Sequence, residues 1–117
     1  MDKINYDGRK FTTVENSKNG EVSAQTTFAY QQRGNILWAE YSGGEVVKGF
    51  LLGLVAEDDC LNFTYQHINR SGQQRAGQCE SKPELLPDGR LRLHERWQWL
   101  TGDCSSGESV IEELPKT

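Results

Sequence analysis

At 117 residues, with a net charge of −4 and a pI near 5.2, the chain has room for one domain, 1–117, and no second core. The acidic balance argues against a nucleic-acid partner, which calls for a basic face. No stretch approaches the roughly 20 apolar residues of a membrane-spanning helix, so no membrane partner is expected either. The opening MDKINYDGRK lacks an apolar run behind a basic start, so no secretory signal is expected. Three irregularly spaced cysteines, Cys60, Cys79 and Cys104, read as reduced thiols and point to a cytoplasmic location.

Glycine-containing turn signals recur along the chain, at Asn19-Gly20, Gly43-Gly44, Ser71-Gly72 and Asp88-Gly89 among others. The segments between them are rich in Thr, Val, Tyr, Phe and Trp and alternate apolar with polar residues. That is the pattern of strands with one face buried. Strands are expected at about 9–15, 21–32, 35–42, 45–56, 60–69, 73–86, 90–100 and 108–114. In 21–32 the alternation turns Val22, Ala24, Thr26, Phe28 and Tyr30 inward. A hairpin around Gly43-Gly44 would set Trp38 against Gly49, Tyr41 against Val46 and Leu37 against Phe50. Both of its faces are largely apolar, so its inward side stays open. A strand buried on both sides, or a face covered by a partner, would read this way.

Further along, Leu61, Phe63, Tyr65 and His67 form one inner set, and the turn Arg70-Ser71-Gly72 would pair Tyr65 with Gly77 and Phe63 with Cys79. The turn Leu86-Pro87-Asp88-Gly89-Arg90 suits a type I turn with Gly89 left-handed. It places Glu84 opposite Arg92, Glu80 opposite Arg96 and Lys82 opposite His94 on the wet face. Inside, Leu85, Ser81, Cys79 and Gly77 meet Leu91, Glu95, Trp97 and Trp99. Charge complementarity outside and small-against-large pairing inside come from one register. The stretch Thr101–Ser109 reads as a turn whose Asp and Ser side chains bond their own backbone; the alternative is a backbone nest for an anion.

Eight consecutive antiparallel strands make an all-β, up-and-down meander. Closing it into a barrel of the lipocalin or streptavidin kind removes its exposed edges. An open curled sheet or a dimerising sandwich is the alternative. An eight-stranded interior is filled by side chains or holds one small ligand. The polar groups that this register turns inward are Glu95, His67, Tyr65, Tyr30, Thr26 and Ser81, beside Trp97 and Trp99. A carboxylate next to two indoles is costly to bury without a partner. Glu95 therefore either fixes the polar or cationic head of a ligand, or is satisfied by Ser81, a tyrosine hydroxyl or Arg75. The candidate interior site is Glu95, Trp97, Trp99, Tyr65, His67, Tyr30 and Ser81. His67 and His94 face opposite ways, no metal spacing is present, and neither a Walker A motif nor a dinucleotide fingerprint occurs. No metal, cofactor or catalytic residue is assigned.

Residues 37–49 (LWAEYSGGEVVKG), 83–90 (PELLPDGR) and 95–113 (ERWQWLTGDCSSGESVIEE) resemble a group of small bacterial proteins of about this length that carry the name N-acetylglutamate synthase. The resemblance spans nearly the whole chain, and its name implies acetyl-CoA-dependent acetylation of glutamate. The nearest stretch to an acetyltransferase pyrophosphate loop is 74–79 (QRAGQC), which ends in Cys and lies in an expected strand. Three readings follow. The first is a barrel that binds a small molecule. The second is an enzyme on a small metabolite, with Glu95 as acid or base and His67 as its partner. The third is a homodimer packed through strands 35–56.

Overall fold

A computed structural model describes residues 3–115, so the expected domain limits at 1 and 117 lie outside the described residues. The strands are β1 (Lys10–Asn16), β2 (Thr27–Arg33), β3 (Ile36–Gly43), β4 (Val46–Val55), β5 (Leu61–Asn69), β6 (Gln74–Leu85), β7 (Leu91–Trp99) and β8 (Ser106–Glu113). Each pairs antiparallel with the next, and β8 returns to β1, closing the barrel. Among the described residues no edge strand is left to template aggregation. Alternation sets the two faces: inner positions are mostly apolar or small and outer ones mostly charged or amide-bearing, with β3 and β4 apolar on the outer face as well.

The β6–β7 register is the one that its turn chemistry dictates: Gly77 pairs with Trp99, Cys79 with Trp97, Ser81 with Glu95 and Glu84 with Arg92. Gly89 has φ +90, and its N–H donates to the Leu86 carbonyl. The β5–β6 hairpin likewise pairs Tyr65 with Gly77 and Phe63 with Cys79. Beyond the rim the alternation loses its meaning, and Leu85, expected inside, is 70% exposed.

Two other expectations need correction. The β3–β4 hairpin pairs Gly43 with Val46, but a bulge then resets the ladder to Tyr41–Gly49, Trp38–Leu52 and Leu37–Gly53. The expected ladder is centred on Gly43-Gly44, but the turn falls one residue later, at Gly44-Glu45, and the bulge then adds one residue more. Leu37, Ala39, Tyr41 and Leu51 point inward, while Trp38, Phe50, Leu52 and Leu54 face outward. The segment 21–32 is strand only from Thr27, and Ala24 is exposed. Upstream, the backbone bonds locally instead of to a ladder. The Thr26 N–H donates to the Ser23 carbonyl, the Ser23 N–H to the Thr26 hydroxyl, and the Asn16 amide to the Val22 carbonyl. Such side-chain bonds compete with sheet pairing.

The two ends of the barrel differ. One end carries the β2–β3, β4–β5 and β6–β7 turns and is stoppered by the segment before β1. There Tyr6 is fully buried, its hydroxyl donates to the Asp59 carbonyl at 2.6 Å, and Phe11, Leu37, Leu61, Leu91, Leu93 and Ile111 pack beneath it. The other end carries the β1–β2, β3–β4, β5–β6 and β7–β8 loops. Its inner wall is aromatic, and four of the rings face a glycine across the ladder: Tyr41–Gly49, Phe63–Gly53, Tyr65–Gly77 and Trp97–Gly107. A Cβ at any of these glycines would collide with the opposing side chain. Glycine makes the space that the rings occupy.

Candidate functional site at the barrel mouth

The end that carries the β1–β2 and β3–β4 loops holds a cavity of about 50 Å³, lined by residues from Glu95 up to the mouth: Phe28, Tyr41, Leu51, Phe63, Tyr65 and the β7 residues Trp97 and Trp99. The rings pack edge to face, with Trp97 and Trp99 centroids 5.6 Å apart and Tyr65 and Trp99 5.7 Å apart. Such a volume suits a few water molecules or a small head group, well below the roughly 300 Å³ and more of drug-sized sites.

Glu95 lies at the inner end of the cavity. Its side chain, on a residue 8% exposed, accepts a hydrogen bond from the Ser109 hydroxyl at 2.8 Å. Its other cross-strand neighbour, Ser81, has a buried hydroxyl without a hydrogen-bond partner among the described residues, as has the Tyr30 hydroxyl. Burial pushes the Glu95 carboxyl up to about 7, only partly opposed by the Ser109 bond. The same burial holds the Tyr30 and Cys79 protons well above their ordinary values.

At the mouth a second polar cluster forms. His67 receives the Tyr41 hydroxyl at Nδ1 (2.9 Å) and meets the Glu21 carboxylate at Nε2 (2.8 Å). A neutral imidazole with its proton on Nε2 satisfies both bonds. The other Glu21 oxygen accepts from Arg75 at 2.8 Å, and the Asn69 amide reaches the same carboxylate at 3.2 Å. The Arg75 guanidinium lies over the Trp99 ring, 4.1 Å from its centroid.

The sequence-predicted residues are thus divided. Glu95, Trp97, Trp99, Tyr65 and His67 line the cavity, whereas Tyr30 and Ser81 lie inside the barrel but off its walls. Tyr30 packs instead against Phe11 and Tyr6. None of the expected partners of Glu95, namely Ser81, a tyrosine hydroxyl, Arg75 or His67, bonds to it. His67 and Arg75 both serve Glu21, and the carboxyl of Glu95 finds Ser109. Glu21 and Asn69 escaped sequence reasoning: Glu21 falls in a stretch that alternates like a strand, and Asn69 is the last residue before a turn. Arg75 had a usable signal, since its even neighbours Gln74, Ala76 and Gln78 read as outer residues while odd positions point inward.

The Thr101–Ser105 loop is a turn closed by local bonds, with Asp103 accepting from the Ser105 N–H. Among the described residues no group of three or more His, Cys, Asp or Glu is arranged to hold a metal ion. No helix of these residues is long and apolar enough to cross a membrane.

The family model for "Avidin-like protein" matches residues 4–114, nearly the whole chain. The chain belongs to the avidin-like family. The match agrees with the closed eight-stranded meander and gives no support to the acetyltransferase activity that the N-acetylglutamate synthase name implies. Residues 74–79 lie in β6, and among the described residues no helix follows them to present its N-terminus to a pyrophosphate. No curated protein matches the chain.

Proposed function

We propose that this avidin-like barrel binds one small molecule between Glu95 and the mouth, with Glu95 holding its polar or cationic head and the aromatic wall its apolar body. The observation that carries the reading is Glu95 itself, a buried carboxyl with Ser109 as its hydrogen-bond partner and the free hydroxyls of Ser81 and Tyr30 inside the same barrel. Buried polar groups are ordinarily paired, and those left over mark a functional arrangement. Family membership supports it, since avidin-like barrels bind small ligands such as biotin. Phenethylamine, an aromatic body with a cationic head, is a suitable probe. Interior tryptophan fluorescence should report its binding, and Glu95→Leu should weaken binding by tenfold or more, about 1.4 kcal/mol or above. Equal binding to a folded Glu95→Leu protein would remove Glu95 from the site.

A second reading concerns the outer face of β3 and β4, where Ile36 and Leu54, and Trp38 and Leu52, are exposed cross-strand pairs with Phe50 beside them. This apolar strip ends at the Lys48–Glu40 ion pair of 2.8 Å, which leaves its centre free of charge. A second copy of the chain is the partner it fits, because an isologous contact buries the same strip on both sides. Light scattering of the wild type and Leu52→Lys tests this. A dimer that dissociates in the variant supports it, and a monomer at all concentrations excludes it.

A further inference from the structure

We infer that Arg75, His67 and Asn69 form a carboxylate-binding site at the mouth, which the segment Ser17–Thr26 fills with its own Glu21, and that a small carboxylate ligand displaces this strap to enter the barrel. The inference rests on the proposed interior site for its chamber and names the ligand class that the mouth takes.

The trio is built as an anion site. It presents an arginine N–H, an imidazole N–H and an amide N–H to one carboxylate, with His67 oriented from behind by the Tyr41 hydroxyl and Arg75 held over Trp99. The Arg75 Nε also bonds the Thr101 hydroxyl at 3.3 Å, so the guanidinium is braced from two sides. Charge-assisted bonds of this kind are the strong ones, and Arg suits carboxylates.

The group in the site comes from no strand. Glu21 sits in the longest connection of the barrel, between β1 and β2, and its side chain is 17% exposed. Its two ends are anchored, Ser17 to the Glu108 backbone and the Thr26 hydroxyl to the Gly43 carbonyl. Between them the strap hangs on side-chain bonds. Asn19 accepts from the Trp99 indole at 3.0 Å and donates to Ser105 and the Ser106 carbonyl. The Asn16 amide donates to the Val22 carbonyl and the Thr12 hydroxyl to the Ala24 carbonyl, while Val22 packs on the core edge. Hairpins usually need only a few linking residues, and a longer compact loop points to a role of its own. Asn16, Gly20, Glu21 and Val22 form the lid of the 50 Å³ cavity. With the strap seated, the 50 Å³ chamber is too small for an aromatic ring, whether of an acid or of phenethylamine, so either ligand needs the strap to move. Glu21 and His67 both line the chamber, so displacing the strap would open it beside the anion site. Glu21 is therefore an internal competitor, and the apparent affinity of an external carboxylate is reduced by the fraction of molecules whose strap is seated.

The test compares wild type, Glu21→Ala and Glu21→Gln in sodium acetate, sodium phenylacetate and sodium chloride at equal ionic strength, reading thermal midpoint and tryptophan fluorescence. Acetate should raise the midpoint of both variants beyond chloride and leave the wild type unmoved. Phenylacetate should bind the variants roughly tenfold more tightly than the wild type, and adding Arg75→Gln should abolish both effects. Acetate rescue without any gain from the phenyl group supports the anion site while sinking the interior chamber. Folded variants that respond to neither anion beyond chloride overturn the inference. Should the variants fail to fold, hydrogen exchange of residues 17–26 in the wild type decides: saturating phenylacetate should speed it, and unchanged exchange overturns displacement.

Discussion

The two ends of the barrel solve the same closure problem with different chemistry. At the stoppered end, Tyr6, Phe11, Leu37, Leu61 and Leu91 are fully buried, and the polar tip of Tyr6 finds a backbone carbonyl. The Glu113 carboxylate there is paired with Arg9 at 2.7 Å and with the Leu91 N–H at 3.0 Å. At the mouth, closure instead relies on a loop carboxylate held by three side chains above a small cavity with Glu95 at its base. Apolar packing without voids stabilises and has no second state. Charged contacts on a loop are replaceable by another ligand of like charge. The difference teaches which end stabilises the barrel and which end can exchange partners.

The largest expected effect tests the stopper. Tyr6→Ala removes a buried ring and its hydrogen bond, and should cost about 3–5 kcal/mol in denaturant unfolding while leaving probe binding at the mouth unchanged. A loss below about 1 kcal/mol would show that the segment before β1 is not a stopper.

Glu95 gives a signed pH dependence. Its folded carboxyl at about 7 lies above the ordinary value of 4.5, so the folded state keeps a proton that the unfolded chain releases. Relative to Glu95→Gln, stability should be full below about pH 4.5 and fall as pH rises to about 7, by on the order of 3 kcal/mol. The exposed acids Glu84, Asp88 and Asp103, held below their ordinary values by their hydrogen bonds, act in the opposite sense and cancel in the comparison. Parallel stability curves for the two proteins would contradict the buried site. Phenethylamine, by contrast, should bind better as pH rises through about 7, because the cation needs the ionised carboxylate.

Smaller effects separate the strap from the wall. Trp99→Phe keeps an aromatic ring but deletes the bond to Asn19 and part of the ring beneath Arg75, and should cost about 1–3 kcal/mol and speed amide exchange most in residues 17–26. On the outer strip, Leu52→Lys should change monomer stability by no more than about 0.5 kcal/mol, read by thermal unfolding under dilute conditions.

Much of the barrel was legible because strand alternation and turn chemistry are local. The pairing of Glu84 with Arg92 and of Gly77 with Trp99 follows from one turn containing Gly89. The β3–β4 register was not legible, since two adjacent glycines leave the turn free to sit at Gly44-Glu45 and a bulge beside Gly43 leaves no mark in a stretch that is apolar on both faces. At the site, the inward path of β7 from Glu95 to Trp99 could be read from period two alone. Glu21 could not. Its role arises from a contact with Arg75 and His67, 54 and 46 residues away in the chain, and local alternation suggested a strand where side chains hold a loop.

The central claim, that small molecules bind inside the mouth above Glu95, is tested most directly by the three tryptophan indole N–H signals in an NMR titration with phenethylamine. Trp97 and Trp99 line the cavity and Trp38 lies on the outer face, so one experiment separates interior from exterior binding. The Trp97 and Trp99 signals should move together and saturate while Trp38 stays fixed, with the shifts lost in Glu95→Leu. Movement of Trp38 alone, or shifts that persist undiminished in the variant, would contradict the account.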